Sequence, residues 1–320
     1  MHKILGLMLA AIAGLTVSGV AYAVDGDFRV TLLGTSSPTP RADRFGPSTL
    51  VEAGSQILLF DAGRGVPIRM AQLKIPLGKL DVVFLTHYHS DHTAGVPDIW
   101  LTGWLASPYA QRKVAFHLIG PVGAKALMAG LEQAYAADIN IREADEKLTP
   151  EAIAAQVEEF SKDGVVYEKD GVRVTAFEVS HGDLIKPAYG YRIDYHGHSA
   201  VISGDTRFNE NVIKYGTDAD VLIHEVVAAK PELLAIPGFQ RIVAHHTTPR
   251  ETGIVFTRAH PKLAVYTHLS RLGNATIPEP TVADIVTEAR QTYEGPLVVG
   301  EDLMTFDIGA GGVAVYRGGP

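Results

Sequence analysis

Three histidines and one aspartate stand within six residues of this chain, at His87, His89, Asp91 and His92. Imidazole nitrogens and carboxylate oxygens are the ligands that zinc and similar divalent ions bind in proteins. Residues two apart on an extended chain share a face, so His87 and His89 are expected to point into one pocket. Asp91 and His92 lie beyond a turn and would reach a second ion beside the first. A polar surface loop, the alternative, leaves this density of metal ligands unexplained.

Four further candidate residues each follow directly after a predicted apolar strand. They are Asp61, His181, Asp205 and His268. A polar side chain at the end of a buried strand is well placed to enter a pocket that several strand ends build together. The chain has no cysteine, which excludes thiolate ligands and disulfide bonds. The sequence therefore predicts a metal site made only of histidine and carboxylate side chains.

Strands and helices alternate along the chain and must position these residues. Residues 80–86 form the predicted buried strand that delivers His87, and residues 48–53 and 56–60 predict a hairpin. The stretch 122–162 is rich in Ala, Glu, Leu and Lys and is predicted to be mostly helical. Further predicted strands are 28–33, 114–119, 165–167, 172–179, 189–195, 200–203, 221–225 and 263–267, and further helices 66–73 and 282–293. We expect an α/β fold with mixed sheets and flanking helices.

Composition is that of an ordinary globular protein and narrows the choice of partners. The chain has 320 residues, of which 46% are hydrophobic and 20% charged, and its formal net charge is −8. General nucleic-acid-binding proteins usually carry a basic excess, which this chain lacks. No linker rich in Pro or Gly divides it, so residues 24–320 are predicted to form a single domain.

The first 23 residues have the pattern of a secretory signal peptide. Lys3 precedes an apolar stretch over residues 4–20, and Ala21-Tyr22-Ala23 has the A-x-A form that signal peptidase reads. We expect cleavage after Ala23, a mature chain from Val24 and a periplasmic or secreted location. The alternative is a retained membrane anchor. No later apolar run is long enough to span a bilayer, so no membrane contact is expected after cleavage.

The spacing of His87-x-His89-x-Asp91-His92 resembles the HxHxDH signature of the metallo-β-lactamase superfamily. The segments around His181, Asp205 and His268 resemble its later motifs. The resemblance implies a four-layer αβ/βα sandwich with two metal ions at one edge, between the sheets. The implied ligands are His87, His89 and His181 for the first ion and Asp91, His92 and His268 for the second, with Asp205 bridging the two. Asp61 resembles an aspartate that orients ligand histidines.

Segments outside the metal motifs, from about residue 30 to residue 270, resemble ribonuclease Z and its relatives. They are Leu33-Gly34-Thr35, Gly190-Tyr191-Arg192-Ile193, Ser203-Gly204-Asp205-Thr206-Arg207, Leu222-Ile223-His224-Glu225 and His246-Thr247-Thr248. The resemblance implies that Glu225 orients His246, which assists the leaving group. A carboxylate partner fixes the tautomer of a histidine and raises its pKa, which suits an acid. His245 is the alternative if the register is shifted by one residue.

The chain departs from ribonuclease Z in one region that concerns the substrate. Family members that process tRNA carry a long arm between the two segments that correspond to Ile193 and Ser203. Here nine residues separate these positions, which predicts a plain hairpin. The short hairpin, the acidic net charge and the predicted export all count against tRNA as a partner. A small-molecule substrate is expected instead, and a homodimer is expected from the resemblance alone.

These observations predict a periplasmic hydrolase with two zinc ions, Mn2+ or Fe2+ being the alternative metals. A metal-bound hydroxide would attack a small phosphodiester or sulfate ester, with Asp91 as general base and His246, backed by Glu225, as general acid. Arg41 and Arg44 are candidates for contacting an anionic substrate. One alternative is a hydrolase of lactones or β-lactams. Another is a catalytically silent binding protein on the same fold.

Overall fold

The computed structural model describes residues 27–318, so the predicted signal peptide (1–23) and the mature start at Val24 lie outside the described residues. Fifteen strands form two sheets in the described part of the chain. They are β1 (Phe28–Gly34), β2 (Ser48–Ala53), β3 (Gln56–Phe60), β4 (Val82–Phe84), β5 (Phe116–Pro121), β6 (Ala155–Phe160), β7 (Gly164–Lys169), β8 (Val172–Glu178), β9 (Tyr189–Tyr195), β10 (His198–Ile202), β11 (Val221–Ala229), β12 (Leu263–Leu272), β13 (Leu297–Val299), β14 (Thr305–Gly309) and β15 (Gly312–Tyr316).

Helices cover the outer faces of both sheets. They are α1 (Val66–Gln72), α2 (Ser90–Thr93), α3 (Val96–Trp104), α4 (Ala124–Asp145), α5 (Pro150–Ile153), α6 (Glu210–Gly216), α7 (Pro231–Leu234), α8 (Pro237–Val243), α9 (Pro249–Ala259) and α10 (Val282–Ala289). Within residues 27–318, none of these helices combines the length and apolar character needed to cross a membrane.

The first sheet has the order β15-β14-β1-β2-β3-β4-β5-β6 and the second β13-β12-β11-β10-β9-β8-β7. Their inner faces share one core, in which Phe60 stacks on Phe84 and Tyr191 packs against both rings. Two further apolar clusters lie between the sheets and the helices outside them. Because each sheet buries both faces, the layers run helix, sheet, sheet, helix. This is the predicted four-layer αβ/βα sandwich.

Parallel strand pairs direct the candidate residues to one edge of the sandwich. In the first sheet β3, β4 and β5 run parallel, and in the second β10, β11 and β12 do. The carboxyl ends of parallel strands meet at the same edge of a sheet, so the loops that follow them converge there. The loop after β4 carries the histidine-rich segment, and the loop after β10 carries Asp205. The predicted strand 263–267 continues to Leu272, so His268 lies within β12 and not after it.

Several predicted elements are confirmed, and two predictions are partly wrong. The β2–β3 hairpin has the expected register, and β9 pairs with β10 across a tight turn at His196 and Gly197, both with positive φ. The stretch 122–162 contains α4 and α5, but residues 155–160 form strand β6, parallel to β5. No residue of β6 is fully buried, because the strand lies at the edge of the sheet. Its first four residues alternate between half-buried and exposed, as successive side chains of a strand point to opposite faces. The buried strand that delivers His87 is also shorter than predicted, covering only residues 82–84.

Candidate metal centre and active site

Asp61, at the end of β3, holds the histidine-rich loop against the first sheet. Its Oδ1 accepts the Thr86 backbone N–H at 2.8 Å, and its Oδ2 accepts the Thr86 hydroxyl at 2.8 Å and His92 Nδ1 at 2.7 Å. Asp61 adopts a positive φ of 59°, an uncommon backbone conformation outside glycine that turns its carboxylate into the loop. The side chain thus both supports the loop and orients His92, in agreement with the expectation for Asp61.

His87, His89 and His181 bring three ring nitrogens together. His89 Nδ1 lies 3.1 Å from His87 Nε2 and 3.1 Å from His181 Nε2. His87 Nδ1 faces the Thr86 hydroxyl at 2.9 Å, and His181 Nδ1 donates to the His245 carbonyl at 2.9 Å. Because both Nδ1 atoms are engaged as donors, the two Nε2 atoms present lone pairs. Burial lowers the pKa of His87 well below its usual value and that of His181 to about 4, so both rings are neutral.

Asp91, His92 and His268 form the second group. His268 Nε2 lies 3.3 Å from Asp91 Oδ2, and the rings of His92 and His268 stack 5.2 Å apart. His268 has a φ of 45° and lies where the register of β11 against β12 shifts. Such a bulge re-aims a side chain relative to a regular strand. The shift therefore turns the imidazole of His268 toward the loop after β4.

Asp205 lies between the two groups. Its Oδ2 is 3.9 Å from His87 Nε2, 3.6 Å from His181 Nε2, 3.3 Å from His92 Nε2 and 3.2 Å from His268 Nε2. Burial alone would raise the pKa of this carboxyl, but the surrounding histidines hold it well below its usual range. One carboxylate facing four imidazoles has the placement required of a ligand shared between two cations.

The donor arrangement fits two divalent cations. His92 Nε2 is buried and makes no well-aligned hydrogen bond, although Asp205 Oδ2 lies 3.3 Å away and a buried polar atom normally makes one. The Nε2 atoms of His87 and His181 present lone pairs and both lie 3.1 Å from His89 Nδ1, so a cation placed between the three nitrogens would be bound by all of them. All seven residues predicted to bind metal are therefore brought together. Their ligation itself stays a prediction.

Glu225 and His246 meet beside this cluster. His246 Nδ1 lies 3.2 Å from Glu225 Oε2, and the His246 ring is 4.8 Å from that of His181. Burial alone would lower the pKa of His246, but the charge and hydrogen bond of Glu225 raise it to about 9. Glu225 Oε1 accepts the Thr247 backbone N–H at 2.8 Å, which fixes the register of this segment. His246 is therefore the residue that pairs with Glu225, and the alternative of His245 is not needed.

Arg41 and Arg44, the candidates for contacting an anionic substrate, are engaged elsewhere. Arg41 pairs with Asp43 at 3.1 Å and with Glu279 at 3.1 Å. Arg44 Nη1 donates to the Thr35 hydroxyl and to the Gly300 carbonyl, both at 2.6 Å. Both arginines hold the loop between β1 and β2 in place, so that expectation is not supported. Other histidines, at 117, 196, 198 and 260, lie outside the metal groups.

Sequence reasoning missed the residues that hold the loops of the site together. Thr86 links Asp61 to His87, and Arg207 donates from Nε to the Ala244 carbonyl at 2.6 Å. Thr86 directly precedes the ligand motif, which is a signal that could have identified it. Arg207 lies 37 residues before Ala244 in the sequence. No local pattern announces a contact over that separation.

Comparison with known proteins identifies the family of the chain. Residues 56–269 match the family described as "Beta-lactamase superfamily domain". The chain belongs to the metallo-β-lactamase superfamily and is a metal-dependent hydrolase of that fold. The alternative of a catalytically silent binding protein is therefore set aside.

Its similarity extends to the ribonuclease Z branch. The chain is 36% identical to "Ribonuclease Z" of Mycolicibacterium gilvum over 242 residues, 75% of this chain and 83% of the relative. The fold is similar to that of human tRNase Z, short form, with a TM-score of 0.64 and 21% identity over 87% of this chain and 98% of the other. It is also similar to that of Zn2+-bound PqqB from Methylobacterium extorquens, with a TM-score of 0.61 and 17% identity over 88% of this chain and 100% of the other.

Proposed function

We propose that this chain is an exported hydrolase that holds two zinc ions and cleaves a small phosphodiester, with sulfate esters as the second substrate class. The observation that carries the proposal is the Glu225–His246 pair beside the ligand cluster. A proton donor next to a metal site suits esters whose leaving oxygen must be protonated. A lactone or β-lactam has less need of such an acid, which ranks the carbonyl substrates lower.

The residues of this chain have separate roles in the proposed reaction. The seven predicted ligands would hold the two ions, which when bound lower the pKa of water and stabilise negative charge on a reacting oxygen. Asp91 has a lowered pKa despite its burial, chiefly through its hydrogen bond to His268, so it is a carboxylate able to accept a proton from the attacking water. His246 uses Nδ1 to bond Glu225, which leaves Nε2 to donate a proton to the leaving oxygen.

The proposed substrate is small because the chain lacks the element that would hold a large one. Strands β9 and β10 are joined by the two residues His196 and Gly197, where tRNA-processing relatives are expected to carry an arm. The chain also carries a net charge of −8, which disfavours a long polyanion. The M. gilvum relative is called a ribonuclease by name; for this chain, a small phosphodiester agrees better with the hairpin.

Export is part of the proposal and rests on residues 3–23. A positive residue, an apolar stretch and Ala21-Tyr22-Ala23 occur in the order that a signal peptide requires. Fractionation of cells producing the full chain, with N-terminal sequencing of the product, tests it. A product starting at Val24 in the periplasm or medium supports export, and an uncleaved product in the cytoplasm contradicts it.

The enzymatic part is tested with the zinc-loaded chain from Val24 on four substrates side by side. These are bis-p-nitrophenyl phosphate, p-nitrophenyl sulfate, a lactone and nitrocefin, with His87→Ala as the blank. Hydrolysis of the phosphate or the sulfate ester, abolished by the substitution, supports the proposal and identifies the reacting atom. Hydrolysis of the lactone or nitrocefin alone contradicts it and removes the role of His246. Metal analysis of the same sample is expected to give two zinc ions per chain.

A further inference from the structure

The segment 244–247 carries His246, and each of its four residues is bonded to another part of the site. The Ala244 carbonyl accepts Arg207 Nε at 2.6 Å, and the His245 carbonyl accepts His181 Nδ1 at 2.9 Å. The side chain of His246 bonds Glu225. The Thr247 hydroxyl donates to the Thr206 carbonyl at 2.6 Å, and its carbonyl accepts the Val227 backbone N–H at 3.0 Å. Every residue of this segment thus makes a hydrogen bond to another part of the site.

The two ends of this segment are held very differently. Thr247 is fully buried and bonded both to β11 and to the end of β10 through Thr206. Ala244 caps α8, and none of the seven residues of that helix is buried. A helix without buried residues gains little from packing, so its position depends on hydrogen bonds at its ends. The upstream side of His246 is therefore held by two bonds, from His181 to the His245 carbonyl and from Arg207 to the Ala244 carbonyl, and only the second one fixes the end of α8.

Arg207 is itself joined to the predicted ligands. It follows Asp205 and Thr206 in the sequence, and its backbone N–H donates to the Ser180 carbonyl, next to His181, at 2.7 Å. Its side chain leaves this fixed point and reaches the end of α8, with a further contact from Nη1 to Asp183 at 3.3 Å. Asp183 is 88% exposed, so that ion pair contributes little. The bond to Ala244 also lies at the surface, but it is short and comes from a charged donor, which makes it the stronger of the two contacts.

We infer that Arg207 is a positioning residue for His246, a role that rests on the acid function proposed above. It fixes the end of α8 relative to the strand end that bears Asp205, and so keeps the imidazole aligned between Glu225 and the leaving oxygen. Without it, Glu225 still pairs with His246 and His181 still bonds the His245 carbonyl, but the end of α8 loses its bond to this part of the site and can shift the backbone before His246. Proton transfer needs this alignment, and a displacement of about 1 Å costs on the order of 100-fold in rate.

The test compares Arg207→Met with Arg258→Met. Methionine keeps the apolar stem of arginine and removes every donor. Arg258 is a suitable control because it is an exposed arginine paired with Glu210 on the outside of α9. Both variants are zinc-loaded, and kcat and KM are measured with aryl phosphodiesters whose leaving groups run from nitrophenol to unsubstituted phenol. Phenol has a pKa of about 10, like the tyrosine side chain, so departure of phenolate depends most on protonation by the acid.

For Arg207→Met we expect kcat to fall by about 10- to 100-fold with the phenol leaving group and far less with nitrophenol, while KM and zinc content stay unchanged. The substitution should add nothing further to His246→Ala, because both remove the same proton transfer. Hydrogen exchange should speed up in residues 236–246 and not in β11. Arg258→Met should behave as the unsubstituted protein in all of these measurements.

Three results would overturn the inference. A rise in KM with every leaving group would make Arg207 a direct substrate contact. A loss that is equal for all leaving groups, or that adds to the loss in His246→Ala, would indicate a general structural role. Unchanged hydrogen exchange and unchanged kinetics would mean that the bond to Ala244 does not hold the end of α8 in place. If His246→Ala itself shows no dependence on the leaving group, the proposed acid function fails, and that failure is recognised separately.

Discussion

Substitution of His246 by alanine tests the proposed chemistry most directly. The side chain of Glu225 is 1% exposed and that of His246 10%, so their interaction is little screened by solvent. The rise of the His246 pKa from 6.5 to about 9 corresponds to about 3 kcal/mol in favour of the protonated ring. Glu225 therefore favours the protonated form of the His246 ring at neutral pH. The protein thus keeps a proton at the position where a leaving oxygen would need it.

We expect His246→Ala to lower kcat by about 100-fold or more for a phosphodiester with a phenol leaving group. The loss should shrink as the leaving group improves, because nitrophenolate departs with little need of a proton. The assay is a series of aryl phosphodiesters at fixed pH, with zinc content measured on each sample. His245→Ala is the matched comparison, since only the backbone of His245 bonds within the site.

The reasoning fails if His246→Ala lowers kcat equally for all leaving groups, or if His245→Ala is the more damaging change. A loss of zinc in His246→Ala would indicate a different role for His246. It would mean that His246 acts as a ligand together with Asp205 and His268, whose donor atoms lie within 4.8 Å of its own.

Three further changes follow from the geometry. Glu225→Gln removes the group that raises the His246 pKa and leaves the burial that lowers it. Because an acid is active below its pKa, the alkaline limb of the kcat–pH profile should move to lower pH. An unmoved limb would contradict this role of Glu225. Asp205→Ala should leave at most one zinc per chain by metal analysis, and two retained ions would disprove bridging. Asp61→Ala should weaken zinc retention by about 10- to 100-fold in chelator competition, because His92 and Thr86 lose their partner.

The metal site could largely be predicted because its residues obey local rules. Histidine and aspartate placed directly after apolar strands are read from the sequence, and parallel strands bring such ends to one edge. The pairing of Glu225 with His246 was predicted from the family resemblance and not from these local rules. What they do not give is the backbone shift at His268, since its register change depends on how β11 and β12 pair.

Strand β6 and the contact of Arg207 show why other features were missed. Residues 155–160 contain Ala, Gln and Glu, which favour helices in isolation, and their pairing with β5 overrides that preference. The strands β13 to β15 are three to five residues long, too short for a clear periodic pattern. The bond from Arg207 to Ala244 depends on two loops that meet only after both sheets have formed.

The division of the predicted ligands between the sheets has a mechanical consequence. His87, His89, Asp91 and His92 come from the first sheet, and His181, Asp205 and His268 come from the second. Ions bound to both sets would act as a reversible cross-link along the seam where the layers meet, so part of their binding free energy would resist separation of the layers. Removing them would loosen that seam before either sheet lost its own hydrogen bonds, and metal supply would then govern how rigid the enzyme is.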